Sequence, residues 1–303
     1  MAGIGISGLP MPPAPHRCDR LGPNAKGKPR FETIEMVEQE DQKRALRLRN
    51  AARRNPELLD RKRADDLALR LEKSVGSDWF PPSTACRQYM RDLRIRAIGG
   101  LWQQSDPDAT QHSHRVAMVT IWSPDWVVPA LRLVRRHGVD PFTPDMVFGN
   151  LRNHLNRVLP GNPTGTAFCG LHAYFDEYHG AFGFHVHAIV SVEGDLLERF
   201  ETLRERWPEK YSTRDGGEGS VKVTVGLDNL PDPLSYCLPT WPTWLYYRDG
   251  KTGERCKYTR RMPVPAPYDS LYFLWVDQFR PEHLVLLMGL RPTKSGFRIS
   301  KQS

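Results

Sequence analysis

The stretch Gly-Phe-His-Val-His-Ala-Ile-Val, residues 183–190, sets two imidazoles one residue apart in an otherwise apolar run. In a β-strand alternate side chains share a face, so His185 and His187 point one way while Phe184, Val186 and Ala188 point into the opposite layer. Desolvating polar rings without partners is unfavourable, and two of them on one strand face suggest a bound ligand. The preceding apolar stretch, from Thr166, carries His172. A two-residue turn at His179 and Gly180 would pair Tyr174 with His185 and His172 with His187, bringing a third imidazole to that face. Three nitrogens from two neighbouring strands suit a divalent metal held facially with its other positions open to water or substrate. The ions to test are Mg2+ and Mn2+. A one-residue slip would remove His172 and leave Asp176 or Glu177 as the oxygen ligand.

The elements around this pair follow from periodicity and breakers. Residues 115–122, Arg-Val-Ala-Met-Val-Thr-Ile-Trp, read as a buried strand. The segment from Thr143 to Gly161 reads as a helix with Thr143 as N-cap and Pro144 at the first helical position. Residues 166–192 form two strands around a turn near Tyr178–Ala181. An amphipathic helix follows, with Asp195 as its cap, Glu198 three residues on, and Leu196, Phe200, Leu203 and Trp207 on one face. Residues 221–227 alternate as a strand, and Asp232 to Trp241 resemble a short helix ended by Pro239. The order strand, helix, hairpin, helix, strand, helix gives an α+β fold with a central antiparallel sheet that carries the His-x-His strand.

Composition divides the 303 residues into a Gly/Pro-rich disordered leader (1–30), a basic helical N-terminal region (31–90), a domain that carries the His-x-His strand (91–240) and a C-terminal accessory segment (241–303). The basic region reads as two helices joined near Pro56, either a solvated face or a phosphate-contacting arm. The 43 Lys and Arg residues against 35 Asp and Glu favour a polyanionic partner such as nucleic acid. No apolar run approaches the ~18–20 residues of a membrane span, and the N-terminus lacks a signal-peptide pattern. A soluble, cytoplasmic protein of a bacterial cell, with no membrane partner, is expected. The five cysteines, Cys18, Cys86, Cys169, Cys237 and Cys256, include no Cys-x-x-Cys pair and read as free thiols.

Phe-His-Val-His-Ala-Ile-Val resembles the His-hydrophobe-His motif of the HUH endonucleases, which include rolling-circle replication initiators, conjugative relaxases and single-strand transposases. The resemblance covers roughly residues 115–240. It implies a replication initiation protein of a plasmid, phage or integrated element, folded as an HUH/Rep-type palm with helices packed on the sheet. This would be a metal-binding, DNA-binding nuclease that nicks and joins one DNA strand through a 5′-phosphotyrosine intermediate. Its partners would be single-stranded or hairpin origin DNA, with a host helicase and polymerase. The resemblance places a metal on His185, His187 and His172, and the nucleophile on Tyr236 in Pro-Leu-Ser-Tyr-Cys-Leu-Pro.

Initiators commonly carry a lysine three or four residues after the tyrosine, where this chain has Pro239 and Thr240; Lys251 or Lys257 would have to substitute. Tyr246 and Tyr247 are rival nucleophiles, although adjacent residues on a helix diverge by about 100 degrees. Tyr211 precedes the strand and fits worse. Such chemistry needs no nucleotide site, and the Gly-rich loop at 215–220 reads as a plain connection. His112 and His114 repeat the spacing with polar flanks and read as solvent-facing. Residues 240–262 interleave Trp241 and Trp244 with Arg248, Lys251, Arg255, Lys257 and Arg260, a composition suited to single-stranded DNA as well as to a core hairpin with a basic edge. A relaxase, a single-strand transposase and a non-catalytic DNA-binding replication regulator are the alternatives.

Overall fold

The computed structural model describes residues 33–73, 83–94, 116–134, 140–159, 166–191, 196–211, 221–225, 237, 242–245, 247–249, 255–257, 263–293 and 296–299. Two helices lead, α1 (Ile34–Arg54) and α2 (Arg61–Glu72). Thr33 caps α1 by accepting from the Met36 amide, and Asp60 caps α2 by accepting from that of Arg63. Their buried positions recur at helical spacing, Ala45, Leu48, Ala51 and Ala52 on one and Ala64, Leu67, Ala68 and Leu71 on the other, so small alanines allow close approach.

Strand β1 (Val116–Pro129) follows, then helix α3 (Asp145–Val158), the hairpin β2 (Thr166–Asp176) and β3 (Ala181–Ser191), helix α4 (Leu196–Arg206), the single turn α5 (Pro208–Tyr211) and β4 (Val221–Val225). Short strands β5 (Thr243–Leu245), β6 (Tyr247–Asp249) and β7 (Arg255–Lys257), helix α6 (Tyr268–Val276), and strands β8 (Val285–Met288), β9 (Leu290–Thr293) and β10 (Gly296–Ile299) complete the order. The main sheet runs β4-β1-β3-β2-β5, with β8 also on β2. All its pairings are antiparallel except β2 with β5, giving an α+β fold with a mainly antiparallel sheet. Residues from the 241–303 segment therefore hydrogen-bond directly to the hairpin strand that carries His172.

One sheet face is sealed. Phe175, Phe182, Phe184, Val186, Ala188 and Val190 are all buried, and α6 lies beneath them with Tyr268 stacked on Phe175 at 4.4 Å and Trp275 against Phe184 at 5.0 Å. The N-terminal helices dock on α6: Arg70 pairs with Asp277, and the Arg44 guanidinium lies 4.8 Å from the Phe273 ring. On the other face Met118, Thr120 and Trp122 of β1 are only half-buried, alternating with buried Ala117, Val119 and Ile121.

Two local expectations are corrected. Thr143 does not cap α3 with its side chain; the helix begins at Asp145 after Pro144, and the Thr143 carbonyl accepts from the Met146 amide instead. The hairpin turn spans four residues rather than two. Asp176 pairs with Ala181, its Oδ1 accepts from the amides of Tyr178 and His179, and Gly180 takes φ +57°. This Asx-type turn shifts the register by two residues, so His172 faces His185, Gly170 faces His187 and Tyr174 faces Gly183.

Candidate metal centre

Because the shift is even, His172 keeps its face. His185 and His187 lie on the central strand β3, and His172 joins them from β2. The ring centroids are 5.5 Å apart for His172 and His185, 4.5 Å for His172 and His187, and 4.8 Å for His185 and His187. One nitrogen from each ring lies within 4.8 Å of the others, and among the described residues this is the group of histidine, cysteine and carboxylate side chains close enough to hold a metal ion. Asp176, the alternative oxygen ligand, is instead taken up by the turn, its Oδ2 2.9 Å from His179 Nδ1. Neither it nor Glu177 belongs to the group.

The donor geometry fits a cation. Nε2 of His185 and Nε2 of His187 are 3.1 Å apart; two imidazoles bound to one ion at about 2.1 Å, with inter-bond angles of about 90–110°, stand about 3.0–3.4 Å apart. Burial, reinforced by the neighbouring His187, pushes the His185 pKa down to about 3, so at neutral pH its ring is uncharged and its lone pair available. His185 Nδ1 is buried without a hydrogen-bond partner. Nδ1 of His187 lies 3.0 Å from Thr120 Oγ1 on β1. With that nitrogen donating to the hydroxyl, Nε2 is left as the ligand atom, the support that metal-binding histidines usually have.

Two aromatics border the cluster. Trp122, directly across from His185, donates from Nε1 to the Tyr174 hydroxyl at 3.1 Å. The two side chains come from the strands flanking β3 and meet above Gly183, where an added Cβ would fall 2.1 Å from Tyr174 Cζ. Immediately after Trp122 the ladder breaks: residues 123–126 of β1 stand opposite Phe184 alone before pairing resumes at Val127 and Gly183. Pro124, which cannot donate to a ladder, lies in this bulge. On the other edge of β1, exposed Lys222 pairs with Thr120 and shares the histidine face.

Tyr236 lies outside the described residues, but its neighbour Cys237 is fully buried, with a thiol that reaches the Ile189 backbone and lies near Cys169. Cys169 pairs with Ala188 and so lies on the sealed face of the sheet, opposite to His172. Of the residues expected to contact DNA, Trp244, Arg248, Arg255 and Lys257 have described backbones. Trp244 lies in β5 opposite Phe175, and Arg248 opposite Cys256 in the β6–β7 hairpin, where Asp249 pairs with Arg255 and Tyr247 with Lys257. Trp241, Lys251 and Arg260 lie outside the described residues, as do Tyr246, the proposed leader, His112, His114 and the 215–220 loop. Cys86, Cys169 and Cys237 are buried and form no disulfide among the described residues. Among the described residues no helix is long and apolar enough to cross a membrane.

Thr120, Trp122, Tyr174, Gly183 and Lys222 were not singled out from the sequence as parts of the site. Two signals were present: Gly183, His185 and His187 recur with period two, as do Thr120 and Trp122 in the upstream strand. Comparison of the chain with protein-family models, curated proteins and solved structures gives no match.

Proposed function

We propose that this chain is a metal-dependent enzyme that nicks and rejoins single-stranded DNA by tyrosine transesterification, acting as a rolling-circle replication initiator of the HUH type. The observation that carries the reading is the three-histidine cluster, with His-x-His on the central strand of a sheet whose opposite face is sealed by helices. The three histidines are half-buried rather than sealed in the core, and the net charge of +8 favours a phosphodiester ligand.

His172, His185 and His187 would hold the metal, which supplies Lewis-acid polarisation of the scissile phosphate. Three imidazoles form a softer donor set than Mg2+ usually takes, which makes Mn2+ the first ion to test. Tyr236 is the proposed nucleophile. Its phenolic oxygen attacks phosphorus, the bond to the 3′ oxygen breaks, and the phenolic proton is lost while the leaving 3′ oxygen becomes a hydroxyl. The enzyme is left on the 5′ phosphate, and attack by a 3′ hydroxyl reverses the step without ATP. Support for Tyr236 comes from the resemblance of its segment, Pro-Leu-Ser-Tyr-Cys-Leu-Pro, to the nucleophile motif of that family.

The test is incubation of the full chain with pooled single-stranded and hairpin origin fragments and Mn2+, followed by a denaturing gel and mass spectrometry of the DNA-bearing peptide. An adduct on Tyr236, lost in Tyr236→Phe, is the expected result. An adduct on Tyr246 or Tyr247 would reassign the nucleophile. Metal-dependent DNA binding with no adduct on any fragment would make the protein a non-catalytic replication regulator. Relaxase and transposase roles share this chemistry and differ in the DNA cut.

A further inference from the structure

The pair Trp122 and Tyr174 has a geometry that supporting the histidines does not require. Their hydrogen bond at 3.1 Å crosses the central strand above Gly183, and the Tyr174 ring centroid lies 6.0 Å from that of His185. Both side chains are half-buried beside the cluster. The bulge at residues 123–126 begins directly after Trp122 and ends the regular ladder there. Exposed Lys222 stands on the same face, paired with Thr120.

We infer that Trp122 and Tyr174 form a stacking wall for one nucleobase of a single-stranded nucleic acid whose backbone crosses the three histidines. This rests on the function proposed above and adds a substrate subsite to it. Aromatic faces bind bases irrespective of sequence, and the mutual hydrogen bond holds both rings in place before the ligand arrives, reducing the entropy lost on binding. Gly183 is what makes the wall possible, because a side chain there would occupy the volume of the tyrosine ring. The cation at Lys222 suits the polyanionic backbone of such a ligand.

The test measures binding by the full chain in Mn2+, using fluorescence anisotropy of an oligo(dT) strand and of the same strand with abasic sites at its centre. Mn2+ binding is followed separately by electron paramagnetic resonance. The wild-type chain should prefer the base-bearing strand by about five- to 150-fold, the range expected for stacking one base. Trp122→Ala should lose that preference by weakening only the base-bearing complex, with Mn2+ binding retained as evidence that the sheet is intact. Trp122→Phe, which keeps a ring, should retain part of the preference. Equal wild-type affinity for the two strands, or an undiminished preference in Trp122→Ala, overturns the stacking wall. Failure to form a tyrosine adduct overturns the nicking activity and leaves this base preference standing. Failure to bind either strand overturns the stacking wall, while the adduct test on origin fragments decides the nicking activity.

Discussion

Thr120 Oγ1 lies 3.0 Å from Nδ1 of His187, linking β1 to β3, the central strand that carries the His-x-His pair. The contact lets His187 keep its ligand nitrogen unprotonated and aimed at the cluster. Thr120→Val preserves shape and removes the hydroxyl, and should lower Mn2+ affinity by about 10–100-fold. Thr120→Ser should restore it, as read by titration of the free Mn2+ signal.

The third ligand can be tested in the same way. His185→Ala with His187→Ala should abolish Mn2+ binding, and His172→Ala alone should weaken it. Asp176→Ala should leave metal affinity unchanged while loosening the turn that its carboxylate holds. Loss of metal in Asp176→Ala, with His172→Ala unaffected, would return the site to an oxygen ligand.

Gly183→Ala places a methyl where the Tyr174 ring passes. Overpacking of this kind should destabilise the chain by about 1–3 kcal/mol. Tyr174→Ala in the same chain should recover much of that loss. Urea denaturation of the single and double variants reads the coupling directly.

His154 gives a pH dependence separate from the metal site. Its Nδ1 lies 2.8 Å from the Tyr211 hydroxyl and its ring stacks on Trp207 at 4.0 Å. Burial, then the charges of Lys210 and Arg157, lower its pKa from 6.5, with Glu209 opposing. The unfolded chain therefore binds the proton more readily than the folded one. The stability contributed by the neutral ring is fully present above pH 6.5 and is lost as pH falls below it toward the folded value. Buried His185 shifts in the same direction. Melting temperature should drop between pH 7.5 and 5, and the drop should be smaller in His154→Leu.

What was legible in the sequence was what depends on local periodicity. Alternation in residues 183–190 placed His185 and His187 on one face, and an even turn length placed His172 on that face too, where a one-residue slip would have removed it. A register error of two residues therefore left the three-histidine set intact while misassigning every partner. The true register belongs to the turn, where the Asp176 side chain bonds to Tyr178 and His179 in a way the two-residue reading did not include. The helices α1 and α2 were readable because the segment is rich in the helix formers Ala, Leu, Arg and Lys and is interrupted by Pro56.

Contacts between residues distant in the chain were not legible. Local spacing carries no information about which strands become neighbours, and pairing is decided by how the whole sheet buries its apolar face. Thr120 becomes the support of His187, 67 residues away, only because β1 lies beside β3. Trp122 meets Tyr174 only because β1 and β2 flank the same strand at a glycine. The sequence by itself determined that His185 and His187 share a face. The tertiary structure decided their partners, the wall beside them and the strands β5 and β8 that extend the sheet, because those arrangements depend on burial and hydrogen bonding summed over the whole chain.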